Sequence, residues 1–206
     1  MKRRTGRLVW ACGLLCLLVV TAFSQEGDEK AMSDGDILEA VKQASRTGPG
    51  HDRLKTIRGS YEQALRWWPG PGAEARESAS QTEVERIMDS RFLTFSVKGK
   101  WLGPAFEAFG MLGFDTASNE YVLTWADTLS TRTFVARGTC GDDGKIFTLL
   151  GEYQDPLAGK VRKLKVVLEL RNKKGESLLE VHDVTAEGQP FKVLEADSKR
   201  WVRAAA

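Results

Sequence analysis

The sequence predicts an all-β protein: an antiparallel, up-and-down β-barrel of about ten strands, preceded by a short N-terminal helix. Three observations predict it. From Ile57 onward the chain is a series of strand-length segments with period-two alternation. Breaker-rich turns separate them, among them Pro69-Gly70-Pro71-Gly72 and Gly141-Asp142-Asp143-Gly144. No stretch in that region reads as a helix long enough for a parallel crossover, so neighbouring strands run antiparallel. Closing the series into a barrel leaves no edge strand exposed.

The first residues read as a targeting segment. Lys2, Arg3, Arg4 and Arg7 precede an apolar run from Leu8 to Phe23, and Ala22-Phe23-Ser24 offers small residues for cleavage. Residues 1–24 are therefore expected to be a secretory signal peptide and the protein to be exported, periplasmic or secreted. The apolar run is short for a membrane span, which needs roughly 20 residues. No stable span is expected after cleavage, and a retained N-terminal anchor is the alternative. Removing the segment takes away four basic and no acidic residues, so the formal charge falls from +2 to −2. The basic balance belongs to the leader and gives no argument for nucleic-acid binding. Cys12 and Cys16 leave with it, and Cys140 alone has no internal partner. At 42% hydrophobic content, one packed core has to hold the fold.

Residues 25–50 are expected to be a polar leader and a short helix. In "SDGDILEAVKQASRTG", Ser33 or Asp34 can cap, Ile37, Leu38, Val41 and Ala44 make one stripe, and Gly48-Pro49-Gly50 ends it. A further helical turn is expected at His51 to Thr56. Residues 51–206 make the barrel domain, with the helix packed at one end. "IRGSYEQALRWW", the polar "EARESASQTEVERIMD", "RFLTFSVKGKW", "PAFEAFGMLGFD" and "NEYVLTWAD" follow one another. "STRTFVARGTC", "KIFTLLGEY", "KVRKLKVVLEL", "ESLLEVHDV" and "QPFKVLEA" complete the series.

Several of these segments carry a resemblance. Arg91-Phe92-Leu93, the run Pro104 to Asp115, Tyr121 to Asp127 and Gly151 to Pro156 are similar, in order, to the motifs of the bacterial family called domain of unknown function 1579. The similarity covers roughly residues 51 to 203. Tyr61 stands where that family usually has Trp, Ala108 where Gly is common, and Cys140 and His182 depart from its usual residues. The resemblance implies a lipocalin-like β-barrel of no established activity.

Chemistry-bearing motifs are scarce. His51 and His182 have no metal-ligand spacing, and no metal or cofactor is expected. A lone His182 as an axial haem ligand is weighed against a surface or hydrogen-bonded histidine. There is no GxSxG elbow. The carboxylates beside Cys140 would raise its pKa rather than activate it, so no catalytic residue is assigned. Gly99, Gly103, Gly110 and Gly113 lack phosphate-loop spacing and are expected to mark bulges or barrel corners. Arg162, Lys163 and Lys165, with Arg171, Lys173 and Lys174, read as the wet face of a strand and its turn.

Alternation puts Tyr121, Leu123, Trp125 and Asp127 on one face. It likewise opposes Phe147, Leu149, Gly151 and Tyr153 to Ile146, Thr148, Leu150 and Glu152. The leading expectation is a small apolar or amphipathic ligand bound in the lumen by Arg91, Phe109, Trp125, Asp127, Arg132, Glu152 and Tyr153. The rival is a structural or interaction barrel plugged by Trp125 and Phe109, with Asp127 and Glu152 bonding turn amides. A third reading, acid/base catalysis, requires Asp127 and Glu152 to converge in a cleft.

Overall fold

The computed structural model describes residues 32–155, 159–172, 175–184 and 190–201. The expected signal peptide and the start of the polar leader lie outside them. The described residues form two helices, α1 (Asp34–Ala44) and α2 (Pro49–Leu54), and ten strands. The strands are β1 (Gly59–Trp67), β2 (Arg76–Ile87), β3 (Phe92–Lys100), β4 (Ala105–Asp115), β5 (Glu120–Asp127), β6 (Thr133–Cys140), β7 (Ile146–Gln154), β8 (Val161–Leu170), β9 (Ser177–Asp183) and β10 (Phe191–Arg200). Each pairs antiparallel with its sequence neighbour, and β10 closes on β1 from Tyr61↔Arg200 to Trp67↔Leu194. This is the expected closed up-and-down barrel.

Helix α1 starts on a reciprocal cap. The Ser33 hydroxyl accepts from the Asp36 amide at 3.2 Å, and the Asp36 carboxylate accepts from the Ser33 amide and hydroxyl. These bonds hold the Asp36 carboxyl below the usual carboxylate range. No residue of α1 is buried, so its apolar stripe of Ile37, Leu38 and Val41 stays exposed.

The short helix α2 packs on the barrel. Pro49 does not end a helix here; it begins one, because a first-turn proline forfeits no intrahelical bond. The chain reads Gly48-Pro49-Gly50 as a break followed at once by a start. Gly50 approaches Phe114 so closely that an added Cβ would lie 2.5 Å from its ring. That approach lets the buried Tyr121 hydroxyl donate to the Gly50 carbonyl at 2.9 Å. His51, 5% exposed, sets its ring edge-on to Phe114, and its Nδ1 accepts from the Gly48 amide. Burial depresses the His51 pKa, consistent with a neutral ring. Leu54 and Ile57 then join Tyr121, Phe147, Leu93 and Leu112 in the larger apolar cluster, which closes this end of the barrel.

Along each strand, alternate residues face the interior. The register β3–β4–β5 runs without interruption, so Gly99, Gly110 and Gly113 mark no bulge. Their role is room. A Cβ at Gly110 would sit 2.7 Å from the Trp125 ring, and one at Gly99 2.8 Å from Phe106. Glycine thus lets an aromatic ring from the neighbouring strand come close to the backbone. Among the described pairs the register shifts between Lys192 and Leu194, where β10 carries an extra residue against β9. No helix among the described residues is long and apolar enough to cross a membrane.

Candidate functional site

The barrel is hollow above its packed end. A cavity of about 1150 Å³ runs from the open rim down to Ile57, Tyr61 and Phe147, somewhat larger than a usual small-molecule pocket of roughly 300–1,000 Å³. Four of the six tryptophans line it: Trp67, Trp68, Trp101 and Trp125. Trp67 and Trp101 pack at 5.1 Å with their rings tilted by 57° near the mouth, and Trp101 meets Phe106 edge-on at 6.4 Å. Leu123, Phe134, Leu149, Leu164 and Val166 supply an apolar wall from β5 to β8.

Two polar arrangements interrupt that lining. The first lies at mid-depth on the β10–β1–β2 wall. Gln63 is paired across the sheet with both Ser198 and Ser80, and Thr82 projects one inward position nearer the packed end. The Gln63 amide donates to Ser198 at 2.9 Å, while its oxygen accepts from Ser80 at 2.9 Å and from Thr82 at 2.5 Å. The three hydroxyl residues are buried.

The second arrangement sits at the mouth. Arg162 bridges Asp155 at 2.6 Å and Asp183 at 2.5 Å; Asp183 is 1% exposed and the guanidinium side chain 34%. The hydrogen bonds it donates to the Asp183 and Asp155 carboxylates raise the pKa of the guanidinium and hold it protonated. Tyr153, directly opposite Arg162 in the β7–β8 ladder, has its phenol pKa pushed up by burial. Each of the three ionised groups is matched, as the interior demands.

The expected ligand residues separate by place. Trp125, Asp127, Arg132 and Tyr153 line the cavity near its mouth. Asp127 is committed locally: its carboxylate accepts from the Leu129 and Ser130 amides and from the Trp125 indole at 3.2 Å. Arg132 donates to the Gln154 carbonyl. Glu152 reaches the rim but belongs to the outward set of β7, with its side chain 60% exposed and 3.5 Å from Lys163. The sheet wall thus lies between Asp127 and Glu152, and they form no catalytic cleft. Phe109 faces outward, 52% exposed, because β4 turns Phe106, Ala108, Gly110 and Leu112 inward. It neither lines nor plugs the lumen. Arg91 is at the other end, in the β2–β3 turn, donating to the Met88 and Ser45 carbonyls.

Two sets of lining residues escaped the sequence reading, and parity marks both. Arg162 shares its parity with Leu164, Val166 and Leu168, so it turns inward while Lys163 and Lys165 stay wet. Gln63 shares parity with Tyr61 and Leu65, and Ser80 and Thr82 with Val84. A polar residue in an inward series was the available signal.

His182 lies on the outer face, 3.2 Å from Glu180. Among the described residues no three His, Cys, Asp or Glu side chains cluster to hold a metal. Burial raises the Cys140 thiol pKa, which makes it a poor nucleophile.

A closed, ten-stranded antiparallel barrel with a helix-sealed base and a hollow, aromatic-lined lumen defines the class of small barrel proteins. Within that class the match is specific. Residues 46–200 fit the model of the family described as protein of unknown function (DUF1579), and the chain belongs to that family. No curated protein matches it.

Proposed function

We propose that the protein binds a small apolar or amphipathic molecule in its lumen. The cavity of about 1150 Å³ carries the reading. A barrel serving only as a scaffold gains by filling its interior, since an empty apolar space forfeits dispersion contacts. Here a larger apolar cluster packs around Tyr61 and Phe147 and a smaller one around Leu65 and Phe106, yet the cavity lined by both remains open between the walls. Mostly apolar walls with a few placed polar groups are what small-molecule sites share. The N-terminal Lys/Arg segment and apolar run support export of this binding protein to the periplasm or cell exterior.

Native mass spectrometry tests the binding. The purified protein, incubated with a lipid extract, is expected to carry one adduct of constant mass; repeated recovery of bare protein sinks the reading. N-terminal sequencing of protein from the exporting cell tests the other half, with a mature start after Ser24 expected and an intact Met1 in the cytoplasm counting against export.

A second reading, an interaction barrel working through its outside, has one observation in its favour. Phe109, Val135 and Leu150 are large, exposed and carried on the outer face of β4, β6 and β7. Replacing Phe109 with Ser and following the molar mass by light scattering examines it; identical masses for both proteins dispose of self-association through that face.

A further inference from the structure

We infer that the lumen selects uncharged molecules bearing a hydroxyl or carbonyl group, and that Gln63, Ser80, Thr82 and Ser198 are the residues that read that group. The inference rests on the lumen-binding reading and specifies its ligand.

The distribution of charge comes first. Among the described residues, the charged groups along the cavity are Asp127, Arg132, Glu152, Asp155, Arg162 and Asp183. All six belong to strand ends and turns at the open rim. Each already has a partner there: turn amides, the Gln154 carbonyl, Lys163, or the Arg162 bridge. Below the rim the described lining holds no ionised side chain. An anionic head group drawn into that depth would lose its hydration with no cation to receive it. At the mouth it would meet an arginine already shared by two carboxylates.

The distribution of uncharged polarity points the other way. It is concentrated on one wall at mid-depth, with Leu65 above it and Tyr61 below. β6, five strands away around the ring in either direction, presents Phe134 from the apolar wall. A ligand between these walls is therefore met by hydrogen bonding on one side only.

The quartet's own bonds leave it capacity for both roles. Ser80 and Thr82 spend their protons on the Gln63 oxygen, leaving hydroxyl lone pairs that can accept. Ser198 accepts from Gln63, so its own proton and the second amide hydrogen of Gln63 are not used within the quartet. A wall that can accept and donate within a few ångströms suits a hydroxyl, which does both, or a carbonyl, which accepts. A hydrocarbon would leave those groups unmatched, and that mismatch is what confers selectivity.

The test displaces the neutral dye Nile red from the full chain with three ligands of equal chain length: 1-decanol, decanoate at pH 8 and decane. Decanol is expected to displace the dye about tenfold more tightly than either competitor. Ser198→Ala leaves the Gln63–Ser80–Thr82 bonds in place and is expected to cut decanol affinity severalfold while leaving decane unchanged. Gln63→Leu, checked for an unchanged melting curve, is expected to erase the preference. Equal displacement by decanol and decanoate, or a decanol affinity indifferent to Ser198→Ala, overturns the inference while the lumen-binding reading survives. No uptake of Nile red by folded protein overturns both.

Discussion

The two ends of the barrel are built from the same alternating strands and do opposite things with them. At the base, α2 lowers Leu54 and Ile57 onto Tyr121, Phe147 and Leu93 in the larger apolar cluster. At the mouth, rings such as Trp67, Trp101 and Phe106 group along one side of the wall, and charges are held by local bonds around an open space. Stability and capacity are thus divided along one axis. The base supplies the larger buried cluster that holds the cylinder, and the mouth keeps only the smaller one around Leu65 and Phe106.

Substitutions at the two ends should separate these roles. The largest effect is expected at the base: Phe147→Ala removes a ring with 0% exposure and should cost about 3–5 kcal/mol by urea unfolding. Trp125→Ala, at the mouth, should cost about 1 kcal/mol yet weaken Nile red binding severalfold. Equal stability losses at the two positions would erase the division.

The mouth has one structural dependency of its own. Arg162→Leu leaves the buried Asp183 carboxylate without its guanidinium and should cost about 3 kcal/mol. The double variant Arg162→Leu/Asp183→Leu should recover part of that loss, because the more deeply buried of the two carboxylates is then gone and only Asp155 lacks the guanidinium. A double variant less stable than the single one would mean the bridge itself, rather than a stranded charge, sets the cost.

Smaller changes sharpen the picture of the base. Tyr121→Phe keeps the ring and deletes its bond to the Gly50 carbonyl, for an expected loss of about 1 kcal/mol and a looser α2 by amide exchange. Acidification reaches the same place through His51. Its pKa is depressed by burial in the folded state, so below its unfolded value of about 6.5 the unfolded chain binds more protons. The stability contributed by neutral His51 is therefore complete above that pH and is lost as pH falls through the depressed folded value. His51→Gln should flatten this stretch of the stability profile, and a profile unchanged by the substitution would remove His51 as its cause. The smallest effect is expected outside, where Glu152→Gln breaks an exposed pair with Lys163 and should change stability by less than about 0.5 kcal/mol.

Much of this architecture was legible because its causes are local. Turn residues and a period of two mark strands whatever surrounds them, and ten such segments with short links leave an antiparallel ring as the economical closure. The opposition of Tyr121, Leu123 and Trp125 to their neighbours was correct for the same reason. Glycine was harder. Gly110 is written like a bulge, but what it permits is the Trp125 ring lying across it, a contact between strands that no window along one strand contains. Pro49 was ambiguous too, since a proline that ends one helix can begin the next.

The sequence by itself determined the order of strands, their antiparallel sense and the pairing of faces along each, because backbone geometry dictates these from neighbour to neighbour. Only the tertiary structure decided which face looks inward, and with it the fate of every candidate side chain. Closing the sheet sent Arg162 and Gln63 to the lumen and Phe109 and Glu152 to solvent. The seal by α2 and the space left above it were also decided there. Both depend on residues far apart in the chain meeting across the cylinder, where volume and charge must balance over all ten strands at once.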